Sequence, residues 1–182
     1  MIKSLPNLLS ILRIFLVPFI LLFIVQELFL LSLILCCIAA FSDMADGFLA
    51  RKLNSETNLG FYLDAIADKF FIFSLYSIIG LKMLLPIYII FIVIFRDIFI
   101  SGSYILSFLT GNKLELKPTI ISKINTFMQM SLILFILLSL CEVNFYYFEY
   151  SSLITLLSYA VIFTTIISFI IYINNWLREQ VL

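Results

Sequence analysis

Residues 43–70 read DMADGFLARKLNSETNLGFYLDAIADKF. Four carboxylates, Asp43, Asp46, Asp64 and Asp68, lie in or beside segments that are otherwise apolar. The first two are spaced i, i+3 and the last two i, i+4, so in helices each pair projects to one side of its own helix. Between them Arg51, Lys52, Asn54, Ser55, Glu56 and Asn58 form a polar connection. Two helices joined there as an antiparallel hairpin bring all four acids together. A single acid near the end of an apolar helix is ordinarily a solvated boundary residue, but four in one hairpin are not accounted for that way. Each acid at membrane depth costs roughly 2.5–3.5 kcal/mol on insertion scales, and four anions repel one another. Arg51, Lys52 and Lys69 supply too few placed charges to offset this. An oxygen-only site for a hard divalent cation answers the need directly. Gly47 and Ala50 follow Asp46, and Gly60, Asp64 and Asp68 form an i, i+4, i+8 line. These small residues suit close helix packing and also leave room for a ligand beside the acids.

The rest of the chain sets the solvent. Of its 182 residues 64% are hydrophobic and 12% charged, and the mean hydropathy is +1.20. The charged share is about half that of soluble domains. The expectation is an all-α polytopic membrane protein, a single domain over residues 1–182. A formal net charge of zero gives no basic field for nucleic acid. The absence of histidine excludes histidine triads and histidine-ligated zinc. Cys36, Cys37 and Cys141 have no CxxC spacing and read as small apolar residues. The first apolar run contains Arg13, lacks a small-residue cleavage site and is expected to remain in the mature chain.

Six spans are expected, behind a short interfacial segment, MIKSLPN, at residues 1–7. They cover about Leu8–Val25, Leu28–Ala50, Leu59–Leu81, Pro86–Leu109, Ile120–Leu140 and Ser152–Trp176, each near the ~20 residues needed to cross the hydrocarbon. With the N-terminus inside, Lys3, Arg13, Arg51, Lys52, Lys69, Lys113, Lys117, Lys123 and Arg178 fall on the cytoplasmic side, and Lys82 falls outside with Glu27, Glu142 and Glu149. That bias sets the orientation and puts the acids at the cytoplasmic face.

Three further polar spots stand out. Arg13 inside the first span reads as a snorkelling arginine, or as an anion contact beside the acids. Arg96 and Asp97 lie in mid-span; as helix neighbours they diverge, so they are not expected to form a simple ion pair. Lys123 lies in LKPTIISKINT, residues 116–126, inside an apolar pattern. Arg96 with Lys123 is the expected basic pocket for an anionic group.

The pattern D-x-x-D-G-x-x-A-R, eight residues, then G-x-x-x-D-x-x-x-D is complete as Asp43, Asp46, Gly47, Ala50, Arg51, Gly60, Asp64 and Asp68. It resembles the signature of the CDP-alcohol phosphotransferases, integral membrane enzymes of phospholipid synthesis. The resemblance implies a metal-dependent phosphatidyltransferase in which CDP-diacylglycerol donates to an alcohol and CMP leaves. It implies two ions, Mg²⁺ or Mn²⁺, on Asp43, Asp46, Asp64 and Asp68. Asp68 is also the expected catalytic base. Gly47, Ala50, Arg51 and Gly60 make room for and contact the CDP group, and Arg96 and Lys123 bind the acceptor phosphate. A homodimer among membrane lipids, in a bacterial inner membrane or a mitochondrial one, is implied as well. LKPTIISKINT resembles the cardiolipin synthases more closely than the phosphatidylglycerophosphate synthases. Phosphatidylglycerol is therefore the expected acceptor, with glycerol 3-phosphate the alternative. A cation channel or transporter is the rival of a different class. Against it, the acids gather at one face and the chain shows no obvious inverted repeat.

Overall fold

The computed structural model describes the backbone over residues 5–53, 58–110, 119–141 and 150–181, and side chains over 10–42, 67–102, 119–141 and 150–177. The described residues form six helices and no strand: α1 Leu5–Val25, α2 Phe29–Leu53, α3 Asn58–Leu81, α4 Ile87–Thr110, α5 Ile120–Leu140 and α6 Tyr150–Val181. Two of these, over Ile120–Leu140 and Tyr150–Leu177, are long and apolar enough to cross a membrane, and Ser10–Val25 and Phe29–Ser42 are shorter apolar stretches.

Helix ends follow from local chemistry. Pro6 is tolerated in the first turn of α1 because an amide is not needed there, so Leu5–Asn7 belong to the helix and not to a separate lead-in; residues 1–4 lie outside the described residues. At the other end the Leu28 amide donates to the Phe23 carbonyl at 2.8 Å and the Glu27 amide to Ile24 at 3.2 Å. Glu27 takes the left-handed conformation at φ 62°. This is the paired-bond helix stop usually built on glycine, here built on glutamate. Pro86 precedes α4 and Pro118 precedes α5, each suited to the approach to a new helix.

The chain divides into two compact units, Met1–Lys82 with Ile133–Tyr146, and Met83–Leu132 with Tyr147–Leu182. In the first, α1 packs against both α2 and α3. Its buried stripe is Ser10, Arg13, Val17, Ile20 and Ile24, a helical spacing of three and four. On α2 the buried positions are Ser32, Cys36 and Ala39, and on α3 they run from Ala67 through Phe71, Ile72, Leu75 and Tyr76 to Ile79. Lys82 closes this unit at one end: its Nζ donates to the Val25 carbonyl and to Glu27 Oε1, each at 3.3 Å.

In the second unit α4 packs against α6. Phe169 meets Phe95 and Phe99 edge-on, with ring centroids 6.0 and 5.2 Å apart. One seam residue pair, Ile100 and Tyr172, is buried against Trp176. α5 joins through hydrogen bonds: Asn125 Oδ1 accepts from Thr164 Oγ1 and Thr165 Oγ1 of α6, both at 2.8 Å.

Candidate active site

The acids fall on two helices of the same unit. α2 carries Asp43, Asp46, Gly47, Ala50 and Arg51, and α3 carries Gly60, Asp64 and Asp68. Arg51, expected in a polar connection, is helical, because α2 runs on to Leu53. The spacing of Ser32, Cys36 and Ala39 along α2 continues by fours and threes to Asp43, Asp46 and Ala50. Asp43, Asp46 and Ala50 thus stand at helix positions in line with Ser32, Cys36 and Ala39 by sequence spacing. The side chains of Asp43, Asp46, Gly47, Ala50, Arg51, Gly60 and Asp64 lie outside the described residues.

Asp68 is described, and it is held. Its Oδ1 accepts a hydrogen bond from Arg13 Nη1 of α1. The Arg13 side chain is 1% exposed and that of Asp68 35%. The snorkelling expected of Arg13 does not occur. Arg13 occupies the inward stripe of α1, between Ser10 and Val17, where a charged group has no water to reach and must find an anion. Of the two sequence readings, the anion contact is the one formed. Arg13 is the one charged residue in the run from Leu8 to Val25, which marks it in the sequence as needing a counterion but does not say which.

The second polar group lies in the other unit. Arg96 is buried, and its Nη1 donates to Asp97 Oδ1 at 2.5 Å. Its Nη2 donates to Ser122 Oγ of α5 and to Ser168 Oγ of α6, both at 2.6 Å. Arg96 and Asp97 do pair, and, as expected, they are not simply one ion pair, because Arg96 also bonds the two serines. Adjacent Cβ atoms do diverge on a helix, but the long arginine stem lets the guanidinium swing back over its neighbour. Ser122 and Ser168 were not singled out from sequence, since serine in a membrane helix ordinarily bonds its own preceding turn, as Ser131 does to Phe127. Lys123 follows Ser122 directly and is exposed. The structure thus brings Arg96 to the first turn of α5, beside the position that carries Lys123.

The family model for CDP-alcohol phosphatidyltransferase matches residues 3–171. The chain belongs to that family. As a member of the CDP-alcohol phosphatidyltransferases it is similar to the CDP-diacylglycerol--glycerol-3-phosphate 3-phosphatidyltransferase of Aquifex aeolicus (strain VF5). The two are 41% identical over 146 residues, which cover 78% of this chain and 80% of that protein. It is also 34% identical over 148 residues to the probable cardiolipin synthase (CMP-forming) of Drosophila melanogaster, across 72% of this chain and 46% of that one. The cardiolipin synthase (CMP-forming) of Homo sapiens is 33% identical over 146 residues, across 71% of this chain and 48% of its own length. The matched stretch is therefore most of the Aquifex relative and about half of each synthase. The matched CDP-alcohol phosphatidyltransferase region contains all four acids, Arg13, Arg96 and Lys123.

Proposed function

We propose that this protein transfers the phosphatidyl group of CDP-diacylglycerol to an alcohol acceptor and releases CMP. The observation that carries the reading is the complete eight-position pattern with its four acids, lying on α2 and α3, which both pack against α1 in one unit, within the residues that match the family. The reaction balances simply: the acceptor oxygen forms a bond to the phosphorus that bears diacylglycerol, the bond from that phosphorus to the CMP phosphate breaks, and the hydroxyl proton passes to a base.

The donor set fits a divalent metal. It contains carboxylate oxygens and no sulfur or imidazole, which suits Mg²⁺ or Mn²⁺, and its described member keeps a partly exposed carboxylate. Asp43, Asp46 and Asp64 would hold the ions, with Asp68 as a further ligand. Bound there, two ions would neutralise the pyrophosphate and the departing phosphate. The remaining roles belong to the chain itself. Asp68 accepts the proton of the acceptor hydroxyl. Arg51 contacts a phosphate of the CDP group, and Gly47, Ala50 and Gly60 leave space for it. Arg96 and Lys123 bind the phosphate of the acceptor; the convergence of Arg96 on Ser122 supports their proximity.

Glycerol 3-phosphate is the acceptor we favour, because the Aquifex relative matches over most of both lengths. Phosphatidylglycerol is the second reading. It is favoured by the LKPTIISKINT segment and by the similarity to two cardiolipin synthases. Six membrane spans, a single domain over residues 1–182, a cytoplasmic-facing site in a bacterial inner membrane and a homodimer complete the proposal.

The test is CMP release from CDP-diacylglycerol by purified protein with Mg²⁺ or Mn²⁺, in parallel with glycerol 3-phosphate and with phosphatidylglycerol. Release with the first alone identifies a phosphatidylglycerophosphate synthase. Release with the second alone identifies a cardiolipin synthase. No release with these or any other alcohol overturns the reading.

A further inference from the structure

Arg13 contributes from a third helix to a pair of helices that otherwise supply the acids. Its position in the buried stripe of α1 is one where an aliphatic side chain would pack at no electrostatic cost. A guanidinium keeps its proton under all ordinary conditions, and replacing a buried ion pair by apolar residues is often neutral or stabilising. Packing therefore does not call for an arginine here. The asymmetry of exposure says what it does instead: the guanidinium is 1% exposed and the carboxylate 35%. The cation is lodged behind, and the acid is presented in front of it.

We infer that Arg13 is a positioning residue for phosphatidyl transfer. Gripping Asp68 by Oδ1, it fixes the carboxylate in one rotamer and offsets part of the repulsion among the four acids, so that Asp68 meets the acceptor hydroxyl already oriented. Arg13 touches neither substrate; it acts through Asp68. The inference rests on the function proposed above, in which Asp68 accepts the proton. A planar, forked guanidinium holds a carboxylate in one plane, whereas a lysine ammonium supplies only a point charge.

The test compares full-length wild type, Arg13→Gln and Arg13→Lys in lipid nanodiscs. Steady-state CMP release is measured with the acceptor that the wild type uses, and Mn²⁺ binding is measured by electron paramagnetic resonance without substrate. Loss of an oriented general base lowers turnover by about 10²-fold or more. Arg13→Gln is therefore expected to lose about 10²-fold in kcat per Mn²⁺-binding molecule, with KM for both substrates within about threefold. Arg13→Lys keeps the charge and loses the fork, and is expected to lose about tenfold. A role confined to the fold would lower the melting temperature and the yield of Mn²⁺-binding protein but leave kcat per such molecule unchanged. A folded variant with kcat within about threefold of wild type overturns the inference, as does a loss of activity matched by an equal loss of Mn²⁺ binding. If neither variant folds, Arg13 serves the fold and the inference also fails. An inactive wild type would instead refute the proposed function, which keeps the two failures apart.

Discussion

Arg96 and Asp97 are neighbours in sequence and partners in space, joined by a 2.5 Å hydrogen bond with side chains 2% and 11% exposed. Arg96 then uses its other terminal nitrogen to reach both α5 and α6. Breaking a buried pair by removing one partner typically costs 3–5 kcal/mol, because the other charge is left uncompensated. Asp97→Asn is expected to destabilise the protein by about 3 kcal/mol. Arg96→Met together with Asp97→Asn should recover most of that loss. Thermal or SDS-induced unfolding of both variants in detergent checks this. A double variant no more stable than the single one would show that the serine contacts, and not the charge balance, dominate.

Lys123 and Arg96 are assigned to the same phosphate but sit in different surroundings. Lys123 is exposed, so Lys123→Gln should leave the melting temperature within about one degree, as for a surface site. It should raise KM for a phosphate-bearing acceptor by about tenfold, the loss of one charge-assisted contact. KM for CDP-diacylglycerol should hardly move. Steady-state kinetics with each substrate varied in turn separates these effects.

Asn125 accepts two threonine hydroxyls of α6 through one oxygen. Thr164 also bonds the Ala160 and Val161 carbonyls at 2.9 and 3.2 Å, so it retains partners when Asn125 is lost. Asn125→Ala is therefore expected to cost only about 1 kcal/mol, in line with interhelical hydrogen bonds in membranes. Thr165→Val, which removes a buried hydroxyl and its one Asn125 bond, should cost about the same. Unfolding of the single and double variants, read as a double-mutant cycle, measures the coupling.

Glu27 stands at φ 62° where glycine is at ease. Glu27→Gly relieves roughly 1 kcal/mol of backbone cost and gives up an exposed contact with Lys82 worth well under ~1 kcal/mol. The melting temperature is expected to stay level or to rise by a few degrees. A fall would show that Lys82 draws more from the Glu27 carboxylate than from the Val25 carbonyl.

For the acids themselves, Asp43→Asn and Asp64→Asn should each abolish CMP release while the protein remains folded, judged by melting and by elution as a single species. Mn²⁺ binding should fall in both. Retained turnover in either variant would remove that residue from the metal set.

The sequence made some of this plain and hid the rest for identifiable reasons. α5 was legible at both ends, because Pro118 precedes it and the apolar run stops at Leu140. The far end of α6 was not. The apolar reading stops at Trp176, whereas the helix continues to Val181, since a helix satisfies its own backbone whether or not its side chains are apolar. The acid pattern could be read because its spacing is local. The hold of Arg13 on Asp68 could not, because it joins positions 55 residues apart and depends on which helix packs against which. The direct bond of Arg96 to Asp97 was hidden because Cβ directions on a helix diverge, and only a side chain as long as arginine escapes that geometry.

The contact between Lys82 and the end of α1 has a mechanical meaning when set beside Arg13. Both join α1 to α3. From Arg13 to Val25 along α1 is about 18 Å at helical rise, and from Asp68 to Lys82 along α3 about 21 Å. Two contacts this far apart resist pivoting of α1 against α3 better than either would alone, so the two helices are tied near both the Arg13 end and the Val25 end of their shared seam.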